Sequence, residues 1–197
     1  MSADAQISYE VVCCYFDALD RFLNGVMVTD KAGTVLNSSD GLTKGGGGLL
    51  HATEAGHTVF IVGNGGSAGI SSQVAYEFTH SRSVRALNFD DGSTLTGISA
   101  TYGYQEVFAR QITVHGRRGD QLIAISSSGE SPNILNAVAA ARENSLDVLT
   151  MSGFKADNPL RQIGDLNFYV PSGDYGFVEV SHLALCHAIL DYSPLHP

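Results

Sequence analysis

From Val59 to His80 the chain reads as a strand, a glycine-rich turn and a helix, and that order limits the folds open to it. Val59 to Val62 is an unbroken apolar run, the pattern of a strand buried on both faces. It stops at Gly63-Asn64-Gly65-Gly66-Ser67, where missing side chains let the backbone turn tightly and approach a ligand closely. Small and polar residues from Ser67 onward lead into a helix. These three parts together make an anion site, because the first helical N–H groups lack partners and the helix dipole favours negative charge. Neither common phosphate fingerprint is present: no Gly-Lys-Ser/Thr follows, and the glycine spacing is not that of a dinucleotide-binding turn. Taken alone, such a turn is as readily a plain structural one.

Four further apolar segments read as strands: Arg85–Phe89, Gln121–Ser126, Asp147–Ser152 and Leu166–Val170. Helical patterns lie between and after them. One runs from Tyr104 to Val114. Ser131-Pro132 opens another, an N-cap followed by proline at the first helical position, which continues to about Asn144. Asp157-Asn158-Pro159 opens a shorter one in the same way, and Tyr175 to Tyr192 forms the last. This alternation predicts an α/β fold: a three-layer, doubly wound, five-stranded parallel sheet flanked by helices, with ligands at the carboxyl ends of the strands.

The N-terminal part is expected to be a helical extension, to about residue 48, of a single domain spanning residues 1–197. Residues 7–24 keep helical spacing on two apolar sides, through Tyr9, Val12, Phe16, Leu19 and Leu23 and through Val11, Tyr15, Ala18 and Phe22. A helix with two apolar sides sits between two partners, and in a chain this short the second is expected to be another subunit. Residues 26–48 are the least regular. Asp30 to Gly33 looks like a turn, and each glycine of the run Gly45–Gly48 would cost a helix about 1 kcal/mol relative to alanine. A loop or weak helix is therefore expected there, becoming regular only over Leu49–Ala55 and closed by Gly56.

Composition excludes several classes of function. No apolar run approaches the roughly 18 residues that span a bilayer, so no membrane association is expected. No basic-plus-apolar leader is visible, which points to the cytoplasm. A formal net charge of -9 argues against nucleic acid as a partner. Cys13, Cys14 and Cys186 supply neither a disulfide framework nor zinc spacing.

A second turn, Ser126-Ser127-Ser128-Gly129-Glu130-Ser131, also follows a strand and precedes a helix. Its hydroxyls and the helix N–H groups can surround a phosphate without a cation. Two such turns at strand ends of one small α/β unit favour a phosphate site over two solvated turns. The ordered motifs Gly63-Asn64-Gly65-Gly66-Ser67-Ala68, Tyr102-Gly103-Tyr104-Gln105-Glu106-Val107-Phe108-Ala109-Arg110-Gln111, Gly119-Asp120 and Ile125 to Asn133 resemble the sugar isomerase (SIS) domain, and within it the phosphoheptose isomerase group. Val170-Pro171-Ser172 and the helix carrying His182 and His187 fit as well, and the resemblance covers about residues 49–192.

The resemblance implies a phosphosugar aldose–ketose isomerase that converts sedoheptulose 7-phosphate to D-glycero-D-manno-heptose 7-phosphate for lipopolysaccharide or capsule heptose. It also implies a homotetramer with active sites between subunits, in which the two-sided N-terminal helix is expected to serve oligomerisation; no organic cofactor is expected. Ser67, Ser126, Ser127, Ser128 and Ser131 match the family's phosphate-binding serines. Asn64, with Gly65, matches a sugar-contacting position. Glu77 matches the general base and His187 the general acid, a pairing suited to isomerisation through an enediol. Some members bind zinc, and the matching positions here are Gln73, Glu77, Glu179 and His187, a set richer in oxygen than a usual zinc site. Glu179, expected among the substrate-binding residues as well, stands where the family has glutamine, and Gln73 where it has histidine. Ala100-Thr101 replaces the family's Asn-Asp pair.

Outside the motif, Glu77 would be a solvated helix carboxylate and His187 a satisfied core histidine. His182 is five residues from His187, on a different helix face, and is expected to be structural. Arg110, Arg117 and Arg118 read as solvated loop charges. Asp174 and Tyr175 lie where a substrate hydroxyl contact could sit. The departures leave two other readings open: a non-catalytic phosphosugar-binding or regulatory protein, and an isomerase for another ketose phosphate.

Overall fold

A computed structural model describes residues 9–193. Its elements are α1 (Tyr9–Asn24), β1 (Met27–Asp30), β2 (Val35–Leu36), α2 (Ser38–Glu54), β3 (Val59–Val62), α3 (Gly66–Arg82), β4 (Ala86–Asn88), α4 (Gly92–Tyr102), α5 (Ala109–His115), β5 (Gln121–Ser126), α6 (Pro132–Glu143), β6 (Asp147–Ser152), β7 (Leu166–Tyr169) and α7 (Tyr175–Asp191). Short 3-10 turns at Tyr104–Glu106 and Pro159–Gln162 complete the path. The strands form one sheet in the order β2-β1-β7-β6-β5-β3-β4. The five from β3 to β7 are mutually parallel, while β1 runs antiparallel to β7 and β2 antiparallel to β1.

Every residue of β3 and β5 is buried, as expected of strands covered on both sides. Alternate side chains divide between two cores. Val59, Ile61, Ile123 and Ile125 meet Ile70, Val74 and Phe78 of α3 together with residues of α2 and α7. Phe60, Val62, Leu122 and Ala124 meet Ile112 of α5 and Ile134, Ala137 and Val138 of α6. The chain leaves β3 toward the β4 edge and then returns to lay β5 on the other side of β3. The carboxyl ends of β3 and β5 therefore flank the point where strand order reverses, which is where open α/β sheets hold ligands.

Two expectations for the N-terminal part are corrected. The sheet has seven strands rather than five, because Met27–Leu36 folds back as a hairpin onto the β7 edge. The glycine run is not a loop or weak helix: it lies inside α2, which is regular from Ser38 rather than from Leu49. The reason is close packing. A Cβ on Gly41 would stand 2.8 Å from a Val28 methyl, and one on Gly46 2.8 Å from Ser193 Cα. Burial against β1 and α7 outweighs the intrinsic cost of glycine, and Asn37 caps the helix by accepting from Asp40 N at 2.8 Å. The helix expected over Tyr104–Val114 divides into the first 3-10 turn and α5, with Val107 and Phe108 buried between them. In α1, the expected residues 7 and 8 lie outside the described part. Among the described residues no helix is long and apolar enough to cross a membrane.

Candidate active site

At the carboxyl ends of β3 and β5 lies a cavity of about 260 Å³ lined by Asn64, Gly65, Gly66, Ser67, Ser126, Ser127, Ser128, Ser131, Tyr175 and Glu179. All eight residues predicted to bind substrate or phosphate are in that wall; Gly66 joins them, as does Tyr175. None of the ten is a lysine or arginine.

The first turn is shaped by glycine. Gly65 holds φ +55° and ψ −120°, a backbone that side chains strain against, and a Cβ on Gly63 would stand 2.4 Å from Ser67 O. This tight passage brings Ser67 into the first turn of α3, buried at the cavity wall. In the second turn the hydroxyls accept from the backbone: Ser126 Oγ from Gly129 N at 3.2 Å and Ser128 Oγ from Glu130 N at 3.2 Å. Ser126 and Ser131 share a hydrogen bond of 3.3 Å between their hydroxyls. Ser127 Oγ has no partner although the residue is only 5% exposed. A buried hydroxyl without a partner is costly, and one lining a cavity indicates a ligand that satisfies it.

Glu179 brings a carboxylate to the same cavity from the first turns of α7. It lies so close over the start of α3 that a Cβ on Gly66 would be 2.3 Å from its Oε2. A side chain at this position would have to push that carboxylate aside. Phe154 packs edge-on against Tyr175 at 4.8 Å between ring centres, and Tyr15 of α1 stacks on Phe177 at 4.8 Å. The N-terminal helix thus leans on the end of α7 that carries the cavity.

The remaining predicted site residues are elsewhere in the same chain. Glu77 accepts from Gln73 Nε2 at 3.0 Å and from Ser81 Oγ at 3.2 Å, one partner for each oxygen, on α3. It is eleven residues beyond Gly66, about 16 Å along the helix axis. His187, half-buried, is eight residues beyond Glu179, about 12 Å along α7. Among the described residues no three His, Cys, Asp or Glu side chains come together as a metal needs, so Glu77, Glu179 and His187 do not meet within one chain. His182 is fully buried with Nε2 donating to Ser152 O at 3.1 Å, and burial pulls its pKa down to about 4. Of the arginines read as solvated, Arg110 covers the Tyr102 ring at 3.5 Å and Arg117 donates to backbone carbonyls, and neither lines the cavity.

Sequence reasoning missed Asn133 and Tyr104 as neighbours of the site. Asn133 is in the quoted motif, but its contact with Asn64 crosses 69 residues and no local signal announces it.

The SIS domain model matches residues 27–153. The chain belongs to the SIS domain family. Within it the chain falls in the phosphoheptose isomerase group. It is 35% identical to the phosphoheptose isomerase of Bradyrhizobium sp. (strain ORS 278) over 191 residues, covering 89% of this chain and 93% of that protein. Identity to the phosphoheptose isomerase of Thiobacillus denitrificans is 38% over 151 residues, 73% of this chain and 77% of that one. The solved phosphoheptose isomerase GmhA of Neisseria gonorrhoeae superposes with a TM-score of 0.81 at 27% identity, covering 92% of this chain and 96% of that one. The doubly wound sheet of this SIS member therefore matches a solved isomerase across its length.

Proposed function

We propose that this isomerase converts sedoheptulose 7-phosphate to D-glycero-D-manno-heptose 7-phosphate. The observation that carries the reading is the cation-free, serine-lined cavity at the switch point, with the buried hydroxyl of Ser127 lacking a partner. Five hydroxyls and the start of α3 suit a phosphate group, and the sugar chain then extends past Asn64 and Glu179. Glu77 removes a proton from C1 of the ketose, giving an enediol, and returns it to C2. His187 protonates the oxygen on C2 and receives the proton from the oxygen on C1, so the protons balance.

Glu77 lies about 16 Å along α3 from Gly66 and is not among the residues that line the cavity. We infer that each cavity is completed by Glu77 and His187 of a neighbouring subunit in a homotetramer. Val12 and Phe16 of α1 support this, being apolar side chains 40% and 60% exposed. Gln73, Glu77, Glu179 and His187 would hold a divalent metal only across such an assembly, since Glu77, Glu179 and His187 do not meet within one chain. Bound there, zinc would polarise the substrate's carbonyl oxygen.

An NMR time course of the purified protein with sedoheptulose 7-phosphate, with zinc added or chelated, tests the reading. Appearance of the aldose signals is expected. Tight binding without turnover on any ketose phosphate would instead favour a phosphosugar-binding protein, the reading to which Gln73 and Ala100-Thr101 lend weight.

A further inference from the structure

Asn64 is tied into a network that no residue role considered so far explains. Its Nδ2 donates to Asn133 Oδ1 at 2.9 Å, and Asn133 Nδ2 donates back to Asn64 Oδ1 at 2.7 Å. Tyr104 OH donates to the same Asn64 Oδ1 at 3.0 Å. Asn133, only 2% exposed, is the second residue of α6, immediately after the serine turn, whereas Asn64 is in the turn after β3. The reciprocal amide pair therefore ties together the two turns that form the phosphate cavity. Asn64, Tyr104, Ser131 and Asn133 also line a second cavity of about 310 Å³.

The count of donors and acceptors gives this network a consequence. A carboxamide oxygen has two lone pairs, and on Asn64 both are taken, by Asn133 and by Tyr104. One of its two N–H groups is taken as well. What is left for a ligand is a single N–H. Turning the Asn64 amide alone would set its NH2 group against that of Asn133 and its oxygen against the Asn133 oxygen, so the reciprocal pair opposes the flip. We propose that Tyr104 and Asn133 are positioning residues that lock Asn64 as a one-way hydrogen-bond donor, so that it reads an oxygen acceptor of a sugar phosphate. This rests on the phosphosugar reading above.

A double-mutant cycle read by calorimetry tests it, with sedoheptulose 7-phosphate and inorganic phosphate as probes. Tyr104→Phe removes one hydroxyl from an exposed ring and is expected to weaken sugar-phosphate binding about threefold, and Asn133→Ala about tenfold. In an Asn64→Ala background both losses are expected to shrink to within about twofold, since the residue they position is gone. Asn133 is buried, so the Tyr104 arm keeps the test decisive even where Asn133→Ala fails to fold. Equal losses with and without Asn64 would overturn the proposal while leaving the phosphosugar reading intact. A wild type that binds neither probe would overturn both.

Discussion

Replacing Glu179 by glutamine removes a negative charge from a cavity built to receive one. The Glu179 carboxylate lies against Gly66, at the N-terminus of α3, within the same wall as the serine hydroxyls. For a phosphate held by the same wall, a separation of about 5 Å is taken to set the scale of the repulsion. At that separation and an effective dielectric of about 20, each pair of unit charges repels by about 3 kcal/mol. Partial solvent exposure and salt reduce this to about 1–2 kcal/mol. Glutamine keeps the length and a carbonyl acceptor, so little else changes. Inorganic phosphate should therefore bind about five- to thirtyfold more tightly to Glu179→Gln, at about 1.4 kcal/mol per factor of ten. The gain for a sugar phosphate should be smaller, because sugar hydroxyls exchange a charged acceptor for a neutral one. Calorimetric titration of both proteins with both ligands, at low and high salt, measures the difference. Phosphate affinity that is unchanged or weaker in the variant, or a gain that does not shrink with salt, would refute the electrostatic reasoning.

Two further outcomes follow from the packing. Gly47→Ala should stabilise the protein by about 0.5–1 kcal/mol, since its Cβ meets nothing within 4 Å and alanine favours a helix. Gly46→Ala should destabilise by about 1 kcal/mol net, since its Cβ meets the backbone at Ser193, and urea melts of the two variants should move in opposite directions. Burial holds His182 neutral down to about pH 4, whereas the unfolded chain protonates it near 6.5. The unfolded state thus binds the extra proton between those values, so the His182 contribution is intact above pH 6.5 and falls by about 3 kcal/mol on acidification to pH 4. Urea midpoints for His182→Asn should show a flatter slope than wild type across that window.

The parallel strands were legible because burial on both faces leaves unbroken apolar runs. Gln121–Ser126 and Asp147–Ser152 have the boundaries read from the sequence, and Pro132 marks the start of α6. The phosphate cavity was legible for a related reason: a glycine turn and a serine turn, each at a strand end, are local patterns. What was illegible depends on distant partners. The helix through Gly45–Gly48 exists because Val28, Ile189 and Ser193 approach its backbone, and none of these is near it in sequence. The strand at Met27–Asp30 is held by β7, more than a hundred residues later. The start of α4 was marked locally, with Asp91 accepting from Thr94 N at 2.8 Å, and this capping pattern was overlooked. Glu77 and His187 show the opposite case. The motif names them, but their distance along α3 and α7 from the cavity appears only when the helices are placed.

That distance makes the sharing of each site between chains the central claim, and mixing two inactive variants tests it most directly. Ser128→Asp places a carboxylate in the cavity and should abolish phosphate binding, while Glu77→Gln removes the base; each is expected to be inactive alone. Unfolded together and refolded, they form hybrid assemblies, verified by sedimentation. If a cavity draws Glu77 from a neighbouring chain, the mixture should regain up to about a quarter of wild-type isomerase activity, the statistical share of sites with both parts intact. Hybrids that form and stay inactive, or a Glu77→Gln protein that is active by itself, would contradict the account.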